Sequence, residues 1–221
     1  MKKSLLVSAI ALGLGCAASA HAALQVSASV GGAPTGVSYY NFDTNPPNGL
    51  VSSIGFTGNA GFVTGAAAGV YAPPFVSNGN GAPFGNANGP DASRYVTSGK
   101  NSTAEIGFSS LLQYVGLLWG SVDNYNSLDF YNGAALIGTV VGNDITGSPT
   151  GDQGVNGTFY VNIVSTLPFD RLVARSSEYA FEFDNLAYNP TDPNDVPEPA
   201  SLALFGLGLA GVFAARRRRA G

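Results

Sequence analysis

Short runs in which apolar and polar residues alternate, or in which β-branched and aromatic residues dominate, cover much of the chain between residues 24 and 188. Alternation with a period of two places successive side chains on opposite faces of a strand. The runs predict strands at 24–30, 37–42, 50–56, 94–97, 103–108, 112–119, 127–131, 135–141, 158–164, 171–174 and 179–183. So many short strands predict an all-β fold, an antiparallel two-sheet sandwich of jelly-roll type, with a barrel as the alternative.

Two dipeptides mark special positions within this pattern. Asn132-Gly133 lies between two strand-like runs, and this pair predicts a hairpin with a type I′ turn. Asp184-Asn185 breaks the alternation that begins at Phe181. The break predicts a bulge or a bend in the last strand.

Residues 58–99 interrupt the strand pattern with a mixture of Gly, Asn, Pro and Ala. A loop of this length inside a compact domain is usually functional or disordered. We expect an irregular excursion at one end of the sandwich, with its aromatic side chains partly packed down.

The N-terminus has the layout of a secretory signal peptide. Lys2 and Lys3 precede an apolar stretch at 5–18, which is followed by small residues. Cleavage is expected after Ala22, with cleavage after Ala20 as the second choice. The sequence thus predicts an N-terminal signal helix that signal peptidase removes after Sec-dependent export.

Cys16 lies within the apolar stretch, in Leu14-Gly15-Cys16-Ala17. This tetrapeptide is similar to a lipobox, but Gly13 stands where that motif wants a large aliphatic residue. We therefore expect an unmodified cysteine in the signal peptide rather than a lipid anchor.

The C-terminus has a second apolar run, at 202–215, which would rise about 21 Å as a helix. Counted from Val196 the helix reaches about 30 Å, which is enough to cross a bilayer. The positive-inside rule keeps the terminal arginines in the cytoplasm and places the preceding chain on the outer side. This membrane-stop cluster is Arg216, Arg217, Arg218 and Arg219.

A Pro-Glu-Pro triplet directly precedes this predicted transmembrane helix. Val196, Pro197, Glu198 and Pro199, followed by the apolar run and the arginines, closely resemble the PEP-CTERM sorting tail. The resemblance implies that an exosortase, a membrane protease, recognises the tail. Because the prolines keep the entry extended, Glu198 would be accessible just above the bilayer.

Removing both ends leaves a strongly acidic body. It keeps all 14 acidic residues, Glu198 included, and its net charge is near −10, which excludes nucleic acid and anionic lipid as expected partners. Its cysteine and histidine content is zero, because Cys16 and His21 belong to the predicted signal peptide. This removes thiol and imidazole catalysis, and we expect no enzyme activity. The remaining basic residues are Arg94, Lys100, Arg171 and Arg175.

Trp119, Asp123, Tyr125 and Asp129 form the candidate glycan-binding set. An aromatic ring can stack on a pyranose, while carboxylates accept hydrogen bonds from its hydroxyls. Against this, Trp119 ends an apolar run, so burial in the core is the stronger interpretation for it.

Two further chemistries are possible for the acidic residues. Oxygen ligands for a structural Ca²⁺ could come from several acids, although no run matches a calcium loop and the metal site is left unknown. These acids are Asp43, Asp123, Asp129, Glu182 and Asp184. A glycoside hydrolase would need two carboxyl groups across a cleft, such as Glu105 or Glu178 with Glu182, and this alternative is disfavoured.

A second resemblance concerns the body. The segment 114–131, with Trp119-Gly120-Ser121 near its centre, is similar to part of an uncharacterised family of exosortase-dependent surface proteins. The closing segment 181–188 is similar to the last strand of many secreted jelly-roll domains. The resemblance implies an extracellular sandwich associated with matrix or polysaccharide.

The predicted organisation is a signal peptide at 1–22, a sandwich domain at 23–189, a linker at 190–195 and the sorting tail at 196–221. The expected protein is held in the inner membrane by its tail in transit and then passed to the cell surface or matrix. There it would have a structural or adhesive role linked to exopolysaccharide or biofilm. The alternative is a carbohydrate-binding module delivered by the same route.

Overall fold

A computed structural model describes residues 23–29, 32–44, 49–82 and 84–194. The predicted signal peptide, the Pro-Glu-Pro motif and the arginine cluster lie outside these residues. Within them, no helix has the length and apolar character needed to cross a membrane.

The described residues are almost entirely β-strand, with one short helix, α1, at Gly142–Ile145. The all-β prediction is therefore confirmed. The strands are β1 Leu24–Ser29, β2 Ser38–Tyr40, β3 Val51–Thr57, β4 Gly61–Val63, β5 Phe75–Val76, β6 Gly89–Pro90, β7 Tyr95–Ser98, β8 Ser102–Gly120, β9 Asn126–Asn132, β10 Ala135–Val141, β11 Phe159–Ser176 and β12 Phe181–Asn189.

Strands β8 and β11 are much longer than the sequence pattern indicates. The runs predicted at 103–108 and 112–119 form one continuous strand, and those at 158–164 and 171–174 form another. The two pair antiparallel along their whole length, with register shifts near the middle. Each long strand therefore contributes one half to each of two sheets.

Sheet I contains β10, β9, the end of β11, the start of β8 and β3, in that order. Sheet II contains β1, the start of β11, the end of β8 and β12, and β12 then pairs with β7 and with β2. β4 extends sheet II beside β7.

Ring contacts show that this continuous ladder folds back on itself. Tyr188 pairs with Val115, seven residues along β8 from Phe108, and an extended strand would separate those positions by about 23 Å. The rings of Phe108 and Tyr188 nevertheless lie 5.8 Å apart. The two sheets therefore face each other, which confirms the two-sheet sandwich.

The inner faces of both sheets meet in one apolar core. Trp119 and Phe181 stack there with ring centroids 4.1 Å apart, while Phe130 and Phe169 meet edge to face at 5.0 Å. All four rings are completely buried. Such aromatic pairs add about 0.5–1.5 kcal/mol beyond the burial of their area.

The outer face of sheet II is covered by residues 64–94, here called the covering segment. Val76 of this segment packs against Tyr114, Leu118 and Tyr160, whose side chains leave sheet II on the side opposite the core. At Gly120 a Cβ atom would lie 3.0 Å from Pro74 Cα, so glycine allows this close approach. The expected excursion at one end of the sandwich is therefore wrong: the segment lies across a face.

The local features differ in how well they were predicted. The bulge in β12 is confirmed, because the register shifts between Asp184 and Ala187 and Asn185 has a φ of 54°. The hairpin is present, but its turn residues are Gly133 and Ala134, since Asn132 pairs with Ala135. Only Gly133 of the two has a positive φ, which fits a type II′ turn rather than type I′.

Candidate functional site

Strand β12 places two carboxyl groups on the covered face of sheet II. Phe181 and Phe183 point into the core, so Glu182 and Asp184 point the opposite way, towards the covering segment. Glu182 is 2% exposed and Asp184 is fully buried. Burying acids to this extent is costly unless they are neutralised or well hydrogen-bonded.

Each of these acids has a second buried acid as its neighbour. Asp123, which follows β8, is close enough to Glu182 that its charge affects the Glu182 pKa. Asp91, in the covering segment, affects the pKa of Asp184 in the same way. Asp123 and Asp91 are themselves 3% and 2% exposed.

All four basic residues of the described part of the chain are engaged elsewhere. Lys100 pairs with Glu178 at 2.6 Å, Arg171 with Glu105 at 2.9 Å and Arg175 with Asp129 at 2.6 Å. Arg94 donates to the carbonyls of Phe42 and Thr44 and lies over the ring of Phe62. The buried acid pairs therefore have no basic partner among the described residues.

Glu182 opens into a small pocket between the covering segment and the end of sheet II. The pocket has a volume of about 110 Å³. We call it the tyrosine pocket, and its polar and aromatic lining consists of Tyr71, Ser121, Tyr125, Gln153, Tyr179 and Glu182. Three phenol rings and one buried carboxyl group thus line one cavity.

Hydrogen bonds fix the pocket walls but leave part of Glu182 unused. The Ala72 N–H donates to Glu182 Oε1 at 3.0 Å, while Glu182 Oε2 has no partner among the described residues. The Tyr125 hydroxyl donates to the Tyr179 carbonyl at 2.9 Å. The free oxygen is therefore available to a ligand that reaches the base of the pocket.

Burial makes the carboxyl groups here unusually basic. It raises the pKa of Glu182 to about 7; the hydrogen bond from Ala72 opposes this rise, and the charge of Asp123 adds to it. Burial also raises the pKa of Asp123 to about 6, against hydrogen bonds from Tyr125. Near neutral pH, Glu182 is thus divided between a form that donates a hydrogen bond and one that accepts it.

The structure separates the four residues of the predicted glycan set. Tyr125 lines the tyrosine pocket and Asp123 lies buried beside Glu182. Trp119 is completely buried and stacks on Phe181, so its ring cannot receive a sugar. Strand alternation explains this, because Trp119 points inward when Leu118 points outward.

Asp129 lies on a different surface, the outer face of sheet I. It accepts hydrogen bonds from Arg175 Nε at 2.6 Å and from the Thr139 hydroxyl at 2.8 Å. The placement of Trp119 and Asp129 in a shared site with Tyr125 is therefore wrong. The two strands that carry them diverge into different layers of the sandwich.

The carboxyl pairs considered for glycoside hydrolysis have other partners. Glu105 and Glu178 are engaged with Arg171 and Lys100, with about half of each acid's side chain exposed. The acid whose charge reaches Glu182 is instead Asp123. Sequence spacing alone did not bring these two together as a pair.

The five acids considered for calcium do not converge on one site. Asp43 is exposed and accepts hydrogen bonds from Arg94 N and Asn41 Nδ2, and Asp129 is paired with Arg175. Among the described residues no group of three or more His, Cys, Asp or Glu is placed to hold a metal ion.

Sequence reasoning missed several residues that the structure brings to this face. Asp91 and Tyr71 belong to the covering segment, which has no strand periodicity, and Tyr179 lies in the turn before β12. Their spacing contains no motif that could have identified them. The period of two in β12 does place Glu182 and Asp184 on one face, and this was the available indication.

The described part of the chain is thus an all-β sandwich with one covered outer face and an acidic, tyrosine-lined pocket beneath its cover. The chain carries the PEP-CTERM protein-sorting motif, which matches residues 195–219. This confirms the predicted sorting tail and supports exosortase-dependent export. No curated protein matches the sequence significantly.

Solved structures with partial similarity include a catalytic domain and a binding module. The catalytic domain of Agl-KA is 16% identical with a TM-score of 0.38, and the match covers 78% of this chain and 31% of that domain. This chain thus spans about a third of the length of the Agl-KA catalytic domain. A family 29 carbohydrate-binding module is 13% identical with a TM-score of 0.30, over 81% of this chain and 98% of the module.

Proposed function

We propose that this chain is an exported surface or matrix protein whose sandwich domain makes adhesive contact with a polysaccharide. The sorting motif at 195–219 is the single observation that supports export and sorting to the surface. The tail would anchor the chain in the inner membrane in transit, and an exosortase would cleave it near Pro197-Glu198-Pro199. The cleaved domain would then join exopolysaccharide or biofilm matrix.

The tyrosine pocket supports a glycan as the ligand. Tyr179 is 40% exposed and lines the pocket wall, and Glu182 Oε2 is buried without a hydrogen-bond partner among the described residues. Stacking on an aromatic ring combined with hydrogen bonds to a carboxyl group is a chemistry suited to sugars. The volume of about 110 Å³ suits the edge of one sugar ring rather than a long chain.

The strong negative charge of the domain narrows the type of glycan. The four basic residues of the described chain are occupied by acids, carbonyl groups and aromatic rings, so nothing is provided to attract an acidic polysaccharide. Neutral or amine-bearing sugars avoid this repulsion. The ligand class is therefore a neutral or basic polysaccharide.

We further propose that the domain is not an enzyme. Among the described residues that line the tyrosine pocket, Glu182 is the one carboxyl group, and its Oε1 is held by the backbone of Ala72. A hydrolase would need two carboxyl groups at the scissile bond. Incubation with bound oligosaccharides followed by mass spectrometry should show intact sugars, and cleavage products would contradict this part of the proposal.

Binding is tested with immobilised neutral, basic and acidic polysaccharides. Tyr179→Ala removes the ring on which a sugar would stack and should weaken retention about tenfold, which corresponds to a loss of about 1.4 kcal/mol. The matched control is Tyr131→Ala, a tyrosine on the outer face of sheet I beneath Arg171. Equal retention of wild type and Tyr179→Ala would place binding outside the pocket.

Export, tail cleavage and final location need a separate experiment. Mass spectrometry of both termini of the native protein, fractionated by compartment, should give an N-terminus at Ala23 and a C-terminus before Leu202. An intact tail in the surface fraction would contradict exosortase cleavage while leaving glycan binding open. The second candidate, a dedicated carbohydrate-binding module, predicts saturable affinity for one defined glycan rather than broad adhesion.

A further inference from the structure

The second buried acid pair, Asp91 with Asp184, lies away from the tyrosine pocket. Asp184 comes from β12 and Asp91 from the covering segment, and the Ser93 hydroxyl stands between them. It donates to Asp91 Oδ1 and lies 3.2 Å from Asp184 Oδ2. The two carboxyl groups therefore converge from separate parts of the chain on one point.

The hydrogen bonds at this point are unevenly distributed. Asp91 Oδ1 accepts from Asn86 Nδ2 at 2.8 Å, from Ser93 N at 2.9 Å and from the Ser93 hydroxyl. Asp91 Oδ2 and Asp184 Oδ1 have no donor among the described residues. Two carboxyl oxygens are thus buried without an N–H donor or a basic group among the described residues to neutralise them.

A fully buried oxygen without a partner is a costly arrangement. Asp184 has no exposed surface and Asp91 has 2%, and leaving such a group unsatisfied costs about 1–3 kcal/mol, more when it is charged. Asn185, next along β12, also has both side-chain polar atoms buried without a partner among the described residues. The local chemistry is therefore suited to binding a positively charged group.

An open cleft borders the Asp91 side of this pair. It has a volume of about 400 Å³, and Asp91 and Ser93 form part of its wall. Asp43, Ala92 and residues 84–90 line the rest. A small ion can therefore reach Asp91 without unfolding of the covering segment.

We propose that Asp91 and Asp184 bind a Ca²⁺ ion that fastens the covering segment to β12. The groups at hand are carboxylate, hydroxyl and amide oxygens, which are the ligands of hard cations, and histidine and cysteine are missing from the described residues. Ca²⁺ accepts six to eight oxygens in flexible geometry, so backbone carbonyls and water can complete the shell. Mg²⁺ demands a nearly ideal octahedron, which loop ligands rarely provide.

The test measures thermal unfolding and metal content of the purified full-length chain. After EDTA treatment, saturating Ca²⁺ should raise the Tm by about 5–10 °C, Mg²⁺ should have a smaller effect, and equilibrium dialysis should find one Ca²⁺ per chain. Asp184→Asn should abolish the shift and the bound ion. The matched control is Glu182→Gln, two residues away on the same face, which should keep both.

A comparison without metal makes the outcome decisive even if variants differ in stability. In EDTA at pH 8, Asp184→Asn should be at least as stable as wild type, because it removes one of two facing charges. In Ca²⁺ the order should reverse.

Wild type without bound Ca²⁺, or a Ca²⁺ shift of equal size in Asp184→Asn, would overturn the proposal. Stability that rises with acid but ignores Ca²⁺ would instead identify a proton shared by the two carboxyl groups. Glycan retention is measured separately, so either proposal can fail alone.

Discussion

The outer faces of both sheets carry acidic residues, but those on sheet I are paired with arginines and those on sheet II are buried without basic partners among the described residues. On sheet I, Asp129 and Glu105 are paired with Arg175 and Arg171, and these pairs are partly exposed to water. On sheet II, the acids are buried under the covering segment and lack basic partners among the described residues. Exposed ion pairs contribute little to stability, whereas buried unpaired acids are costly and tend to be retained for function.

The difference shows why the covering segment matters. Sheet I finishes its outer face with charged and hydroxyl side chains that water can solvate. The outer face of sheet II instead presents Tyr114, Leu118 and Tyr160, which need an apolar partner, and Val76 supplies it. A segment without strand periodicity is held in place by that apolar contact and by its hydrogen bonds to β12.

The largest expected effect comes from weakening the contact under the cover. Leu118 is completely buried on the covered face, so Leu118→Ala should lower the free energy of unfolding by about 2–5 kcal/mol. Urea unfolding followed by tryptophan fluorescence would measure it, since Trp119 is adjacent.

Leu111→Ala is the matched control for that variant. Leu111 lies on the same strand, at its bend, and is 47% exposed, so its loss should change stability by less than about 0.5 kcal/mol. If both leucine variants lost the same stability, the covering segment would not act as a second layer, and the contrast between the two faces would fail.

The next effect concerns pH and should be confined to the covered face. The pKa of Glu182 is raised from 4.5 to about 7 in the folded chain. Between these values the folded state binds more protons than the unfolded state, so stability falls as pH rises from about 4.5 to 7 and then levels off. The magnitude is up to about 3 kcal/mol.

The measurement is the Tm from pH 4.5 to 8 in EDTA, for wild type and Glu182→Gln. The variant has no carboxyl group to titrate at this position, so its slope should be shallower; Asp123, with a pKa raised to about 6, would supply part of the slope that remains. Parallel curves for the two proteins would show that Glu182 titrates normally and is not held in the low-dielectric setting described here.

The sequence predicted the strands well because a period of two is a direct consequence of strand geometry. It placed Phe181, Glu182 and Phe183 on their correct faces and located the bulge at Asp184-Asn185. It could not show that β8 and β11 each pass through both sheets, because a bend within a strand leaves the alternation almost unchanged. That hidden bend is also why Trp119, at the sheet II end of β8, and Asp129, on β9 of sheet I, were wrongly combined in one site.

The covering segment marks the other limit of sequence reasoning. Glycine, asparagine and proline determine turns, but they do not determine which surface a long loop packs against. The apolar run ending at Trp119 contains Leu118, which alternation places on the face opposite Trp119. An apolar residue at that position was the available indication that sheet II has two apolar faces, and the structure buries it there. Asp91 gains its neighbour Asp184 only through that packing, so no local pattern could have paired them.

The smallest expected effect is on the exposed face of sheet I and tests the other half of the contrast. Arg175 Nε lies 2.6 Å from Asp129 Oδ2, but the Arg175 side chain is 44% exposed. A double-mutant cycle of Arg175→Met and Asp129→Asn should therefore give a coupling of about 0.2–1 kcal/mol, and raising the salt concentration should reduce it. The Thr139 hydroxyl remains a partner for Asp129 in the single arginine variant, which limits the loss further.

A coupling of several kcal/mol that salt does not change would mean that the Asp129 pair is shielded from water as well. The acids of the two faces would then differ in whether they have a basic partner, and not in their exposure to water. The covering segment alone could not account for that difference.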